Sequence, residues 1–315
     1  MVSVALCTYN GARFIREQLE SIICQTVPIE EIVVCDDGST DNTLEIIKSI
    51  AGSSDKKFLL SQNEKRLGFK ENFFNAVNHC SGDLIFFADQ DDVWHPDKVK
   101  TIVRWFDRHP DKTVVFSDAT LIDENSQTLN DTLWQRFGFD WKKQKYLDHD
   151  CGLDIWFWSN RATGATIAIR KDFIDINRCR QYSNAFHDSI IAWQGIVTHS
   201  IGYINEKLMD YRIHRAQTCG ADNTPSELFF TPLAPCNPNF FYQGFHKSDL
   251  NLIPEDEQKH VEFVLKRATF KNRWFGWGSV ANIWTYVHFY RSWAYRFFFY
   301  DWYISVKHSL KRIIG

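Results

Sequence analysis

The stretch Leu84–His95 reads LIFFADQDDVWH: an unbroken apolar run leads directly into three carboxylates, Asp89, Asp91 and Asp92, and then a tryptophan. Such a run suits a strand buried on both faces, so the acids are expected where that strand leaves its sheet. Carboxylates packed this closely repel one another unless a cation sits among them. Asp89 and Asp91 stand two apart, and at a turn they can converge on one hard divalent ion that keeps open positions for phosphate oxygens. Capping offers a second reading of the same residues, with Pro96 at a first helical position and Asp92 near a helix N-terminus.

Outward from this motif, the first 120 residues alternate short apolar runs with helical patterns. Val2–Leu6, Glu31–Cys35, Phe58–Leu60, Leu84–Ala88 and Thr113–Phe116 read as strands. Phe14, Ile15, Leu19, Ile22 and Ile23 keep a helical period between the first two, and segments 41–51, 69–79 and 96–108 read as helices. Strand and helix taking turns implies crossover units and a mainly parallel sheet covered on both faces, with ligands at the carboxyl ends of the strands. Three of those ends carry polar clusters: Thr8-Tyr9-Asn10-Gly11, Asp36-Asp37-Gly38-Ser39-Thr40-Asp41, and the acids at 89–92. Singly, each is explained by turn or capping chemistry. Together on one sheet edge they favour a nucleotide site. The chain has no GxGxxG and no GxxxxGK[ST], so phosphate would have to be held through metal.

The chain has 315 residues, 44% of them hydrophobic, enough for one large domain with appendages and incompatible with disorder. Its start, MVSVALCTYN, has no basic n-region and reads as no secretory signal. Eight cysteines lie without a CxxC pair or zinc-site spacing and are expected to be reduced thiols of a cytoplasmic protein. The net charge of −3 hides an asymmetry: from Lys266 to Gly315 nine Lys or Arg face one acid, Asp301, a balance of +8 that leaves −11 on the first 265 residues. That acidic balance argues against nucleic acid as a partner. Residues 221–255 hold five of the eight prolines and read as a loop or linker.

Seven segments then occur in a telling order: VALCTYNG, VVCDDGSTDNT, NEKRLGFKENF, FFADQDDVWHPDKV, TGATIAI, HDSIIAW and YRIH. Over about residues 2–215 the chain resembles the family-2 glycosyltransferases of the GT-A fold. Within them the ADQDDVW form, an HD pair where an acidic pair is more usual, and YRxH are similar to bacterial rhamnosyltransferase-like enzymes of surface polysaccharide synthesis, including O-antigen. The resemblance implies an α/β nucleotide-diphospho-sugar transferase fold, with a mainly parallel central sheet flanked by helices and a C-terminal helical extension. Residues 1–120 would bind the nucleotide sugar, 121–220 the acceptor, and 221–315 would form the linker and tail.

It also assigns roles. Thr8, Tyr9 and Asn10 would lie against the nucleotide, Asp37 would hydrogen-bond its base, and Asp36 would shape the loop. Asn63, Gly68 and Asn72 would line the donor site; apart from the resemblance, Gly164 reads as a close-approach position beside the donor, and His187, counted with the substrate site, as sharing the proton with Asp188 or hydrogen-bonding backbone. Asp89 would meet the ribose or the metal, Asp91 would be the main ligand of Mg²⁺ or Mn²⁺, and His214 would stand near the metal or diphosphate. Asp188 matches the general base of an inverting transfer. Without the resemblance, Asp188 reads as a helix N-cap, since SIIAW continues helically. Thr163-Gly164 is equally a bend in a strand. The implied reaction moves a sugar, L-rhamnose from dTDP-rhamnose as first choice and a UDP-hexose as alternative, to a glycan acceptor on a lipid carrier.

Other classes fit less well. A processive synthase needs spans of about 20 apolar residues and usually a QxxRW motif, and this sequence has neither. A nucleotidyltransferase usually carries a glycine-rich basic segment near its amino end, where this chain has TYNGAR. A non-catalytic nucleotide-sugar-binding protein would not need Asp91 and Asp188. In the tail, sixteen of the last fifty residues are aromatic. Aromatic rings with cations suit helices lying in a membrane interface, here at the inner face of the cell membrane, and suit equally a packed helical subdomain or a dimer interface.

Overall fold

The computed structural model describes residues 1–148, 160–182, 185–215 and 217, with 240–242, 245–246 and the single positions 252, 255 and 258. The chain divides into two units, Met1–Thr231 with Cys236–Gln258, and Pro232–Pro235 with Lys259–Gly315. The second unit, and with it the aromatic tail, lies outside the described residues, as does most of the expected linker. Within that linker stretch the first unit adds a short antiparallel pair, Phe240–Tyr242 with Phe245–His246.

The amino-terminal half forms as its pattern dictates. Strands β1 (Val2–Thr8), β2 (Glu31–Asp36), β3 (Lys57–Gln62) and β4 (Leu84–Ala88) pair in parallel in the order β3-β2-β1-β4. β1, β2 and β4 are buried at every position, whereas β3, at the edge, alternates between exposed and partly buried residues. Helices α1 (Ile15–Ile23), α2 (Thr43–Ser53), α3 (Phe69–His79) and α4 (Lys98–Arg108) form over the expected segments. Their apolar faces, such as Ile15, Leu19 and Ile22 of α1 and Val99, Ile102 and Phe106 of α4, join Val4, Leu6, Ile32, Val34 and Phe86 of the strands in one core. Each such side chain contributes about 1.5–3 kcal/mol on burial.

Beyond β4 the nine-stranded sheet becomes mixed, continuing β4-β8-β6-β9-β5 with β7 paired to β6. Here β5 is Val93–Trp94, β6 Val114–Ile122, β7 Thr128–Thr132, β8 Ile167–Arg170 and β9 Ile201–Arg212. β8 runs antiparallel to both β4 and β6, while β6 and β9 are parallel. The parallel expectation therefore holds for the four strands that alternate with helices and gives way where the chain returns through β8. Helices α5 (Leu133–Phe137), α6 (Trp141–Asp148), α7 (Ile176–Gln181) and α8 (His187–Val197) complete the described elements.

Two local departures shape the site. The segment TGATIAI is not one strand: Gly164–Thr166 is a 3-10 turn before β8, because Thr166 N and Oγ1 both donate to the Thr163 carbonyl, at 2.9 and 2.7 Å. The second departure is in β9, which changes register against β6 around Ser117, Asp118 and Thr120. An irregularity of this kind bends a strand and re-aims the residues beyond it. The far end of β9 thereby pairs with β5, Val93 opposite Asp210 and Trp94 opposite Met209. Tyr211-Arg212-Ile213-His214 is thus carried back to the acids at 89–92.

Candidate active site

Three loops meet at the carboxyl edge of β1, β2 and β4. The first is fixed by its neighbours' side chains: Asn10 takes a left-handed conformation (φ 50°), its amide donates to Ser39 Oγ at 2.8 Å, and its Oδ1 accepts from Thr40 N at 2.8 Å. Asp36, fully buried, accepts from Thr8 Oγ1 at 2.8 Å and from Ser39 N at 2.8 Å, tying the end of β1 to the loop after β2. Thr8 is spent on that bond and is itself buried.

Asp37 is buried beneath the 63–68 segment. It accepts from Leu67 N at 2.7 Å, Gly68 N at 2.9 Å and Asn63 Nδ2 at 2.9 Å. Asn63 also donates to Asn72 Oδ1 at 2.8 Å, and buried Asn72 donates to the Cys35 carbonyl at 2.8 Å. These residues form a polar relay under the 63–68 segment. Gly68 has φ 83° at the start of α3, a conformation that favours glycine. Above the relay the Arg66 guanidinium lies 3.9 Å from the centroid of the Tyr9 ring, a cationic and aromatic pair at the mouth of the site.

Gln90, between the acids, has a role that the sequence did not reveal. Its Oε1 accepts from Tyr9 N at 2.8 Å and its Nε2 donates to the Tyr9 carbonyl at 3.1 Å, closing the β4 loop onto the β1 loop. The adjoining Gly11 leaves room for this clip: a Cβ there would lie 2.1 Å from Gln90 Oε1, and the Gln90 amide would have to shift.

Asp91 and His214 form the polar centre, with His214 Nε2 2.7 Å from Asp91 Oδ2 and both side chains largely shielded from solvent. Asp92 is no helix cap. It is buried and accepts from Arg212 N at 3.1 Å, while its Oδ2 has no partner. Beneath the motif lies a fully buried lysine, Lys98, donating to the Ala165 carbonyl at 2.8 Å, with its ammonium 4.2 Å from the Trp94 ring centroid. Burial lowers the Lys98 ammonium to about 7, against the raising pull of Asp92 and Asp89. Burial, and then the neighbouring Asp91 and Asp188 carboxylates, push Asp89 up to about 7. No set of three or more His, Cys, Asp or Glu side chains that could hold a metal occurs among the described residues. The structure therefore does not gather Asp89 with Asp91 and His214 into one ligand set. The Asp91–His214 pair still suits a cation that takes its remaining ligands from phosphate and water, as Mg²⁺ does.

Asp188 stands in the first turn of α8, whose N-cap position is Phe186 without a side-chain cap bond, so the capping reading fails. Its carboxyl accepts from Ser189 N at 2.6 Å and from the Gly164 amide, yet burial pushes it up to about 6. A carboxylate held there is suited to taking a proton near neutral pH. His187 departs from the expected substrate contact. Its ring stacks on Phe73 (centroids 4.1 Å apart) and lies near Phe87, both ring nitrogens are buried without partners, and burial holds it neutral, down to about 3. It packs against Gly164, where a Cβ would come within 2.7 Å of its Nε2. Gly164 thus packs closely on His187 and also opens the 3-10 turn before β8.

Polar loops at the ends of a parallel half-sheet, an acid motif at its edge and a second buried carboxylate near it fit a GT-A glycosyltransferase architecture. The chain belongs to glycosyl transferase family 2, whose model matches residues 3–175. An uncharacterized glycosyltransferase of Haemophilus influenzae is 34% identical over 227 residues, 71% of this chain and 68% of that one. Chondroitin synthase of Escherichia coli is 30% identical over 141 residues, 45% of this chain but 19% of the synthase. EpsE of Bacillus subtilis, 32% identical over 123 residues, matches over 39% of this chain and 44% of its own length. Among solved structures, S. aureus TarS 1-349 in complex with UDP-GlcNAc superposes with a TM-score of 0.57 at 18% identity, covering 86% of this chain and 72% of that one, a likeness of fold.

Proposed function

We propose that this protein is a metal-dependent, inverting glycosyltransferase that moves a sugar from a nucleotide diphosphate sugar to a glycan acceptor on a lipid carrier. The observation that supports it most is the buried Asp188, with its raised pKa, standing near enough to Asp89 to push that carboxyl up, in the same site as the Asp91–His214 pair. Inversion by direct displacement needs a base on the side of the anomeric carbon away from the leaving diphosphate. Asp188 would take the acceptor hydroxyl's proton as that oxygen attacks, an effect of about 10²–10⁴-fold. Asp91 and His214 would hold Mg²⁺ or Mn²⁺, which when bound offsets the charge building on the leaving diphosphate. Tyr9 and Arg66 offer the nucleotide base a ring and a guanidinium face, on two loops kept in place by Gln90 and Asp37 respectively. Asp37, with Asn63 and Asn72 bonded behind it, acts by supporting the 63–68 segment.

For the donor we propose L-rhamnose from its deoxythymidine diphosphate, on the ADQDDVW, HD and YRxH forms of the motifs. Work at the cytoplasmic membrane face would suit a lipid-linked acceptor. Among the described residues no helix is long and apolar enough to cross a membrane. The test is a panel of nucleotide sugars scored for nucleotide release with and without divalent metal. Metal-dependent release from dTDP-rhamnose is expected. Release from a UDP-hexose alone would replace the donor, and release from none would sink the reading.

A further inference from the structure

The most heavily engaged side chain near the site belongs to none of the roles above. Arg212, 1% exposed, closes β9 two residues before His214. Its Nε donates to the Asp91 carbonyl at 2.7 Å. Nη1 donates to the Asp123 carbonyl at 3.1 Å and to Ser126 Oγ at 2.9 Å, and Nη2 to Glu17 Oε2 at 2.6 Å on α1. The guanidinium lies 4.7 Å from the centroid of the Phe14 ring, and that ring is 4.8 Å from the ring of His214. Taking such a charge out of water is costly, and only full pairing offsets the cost. A planar fork reaches three separate chain segments at once, which a lysine's point charge does not.

We propose that Arg212 is a positioning residue for cation binding: it fixes the backbone of Asp91 directly and the ring of His214 through Phe14, with Glu17 as its outer support. This rests on the reading of Asp91 and His214 as metal ligands. Partners that orient ligands typically cost about 10–100-fold in metal affinity when lost. A purely structural role, tying α1 to the 123–126 turn, would lower stability and leave cation affinity in the folded protein unchanged.

The experiment titrates the full chain with Mn²⁺ in the presence of saturating UDP, following the free-ion paramagnetic signal, and measures UDP binding separately in chelator. Arg212→Lys is expected to weaken Mn²⁺ binding about 10–100-fold while UDP affinity in chelator stays within about threefold. Glu17→Gln keeps an oxygen to accept from Nη2 but removes the outer charge; it should weaken Mn²⁺ in the same direction by a smaller factor and lower the melting temperature less than Arg212→Lys. It decides the matter should Arg212→Lys not fold. Mn²⁺ affinity within twofold of wild type in a folded variant overturns the proposal, as does a fall in chelator UDP affinity equal to the fall for Mn²⁺. A wild-type chain that binds Mn²⁺ but neither UDP nor dTDP strikes the nucleotide-sugar reading instead, and the cation comparison between variants, run without nucleotide, still decides the role of Arg212.

Discussion

Asp188 carries a conflict between stability and chemistry that one substitution exposes. Its carboxyl titrates at about 6 in the fold against an ordinary 3.8, because burial penalises the charged form. The folded state therefore holds the proton more tightly than the unfolded chain. Stability from this group is gained as pH falls from about 6 toward 3.8, and above that window its charge works against the fold. Asp188→Asn, uncharged at all pH values, is expected to raise the melting temperature at neutral pH by on the order of 2 °C. It should abolish transfer and leave nucleotide-sugar binding near normal, since a base acts only as the bond forms. In the wild type the same group predicts an acid limb in kcat near pH 6. A mutant that turns over normally, or that no longer binds donor by calorimetry, would remove Asp188 from the role. Asp91 presents the complementary case: Asp91→Asn should cost most of the activity and make what remains insensitive to chelator. Full wild-type activity in excess chelator would end the metal assignment.

At the scale of elements, the site depends on loops clipped to one another, and Gly11 is where that can be tested. Gly11→Ala places a methyl group against Gln90 Oε1, so the bond pair between Gln90 and the Tyr9 backbone must open. Overpacking of this kind costs about 1–3 kcal/mol, and nucleotide affinity should fall about tenfold as the Tyr9 loop loosens. With Gln90→Ala in the same chain the methyl group has room, and the double variant is expected to recover stability relative to Gly11→Ala alone. Additive losses in that cycle would deny the contact. The clip also marks the limit of what the sequence tells. The four parallel strands and their helices were legible because an apolar run and a 3.6-residue period are local signals, and the three polar strand ends came with them. The return through β8, the irregularity that bends β9 toward Asp91, and the 3-10 turn at Gly164 depend on pairings between distant segments. Gln90 and Lys98 were hidden for a related reason: a side chain's partner across 81 or 67 positions leaves no periodic trace. His187 was expected with the substrate site, and the aromatic stack on Phe73 and Phe87 that buries its ring left no trace in the sequence.

For the molecule as a whole, the distribution of charge and aromatics separates a catalytic body from a tail of another kind. The first 265 residues carry −11 and the last fifty +8, with sixteen aromatic residues among those fifty. An acidic body is repelled by anionic lipid, whereas rings and cations together are drawn to the headgroup layer. The tail is not expected to span a bilayer: its longest charge-free stretch, Trp274–Tyr290, contains Asn282 and His288 and is shorter than about 20 residues. An acceptor growing on a lipid carrier would confine enzyme and substrate to one surface, and docking through the tail would serve that geometry. The competing arrangement is a packed helical subdomain or a dimer interface, with the aromatics inside and the charges as a solvated rim. Flotation with liposomes distinguishes them. Binding that needs anionic lipid, weakens with added salt and disappears on truncation before Lys266 is the expected result, with soluble nucleotide-sugar turnover by the truncated chain retained. A tail-dependent dimer that ignores liposomes of every composition would show instead that the rings of the tail meet a second copy of this chain.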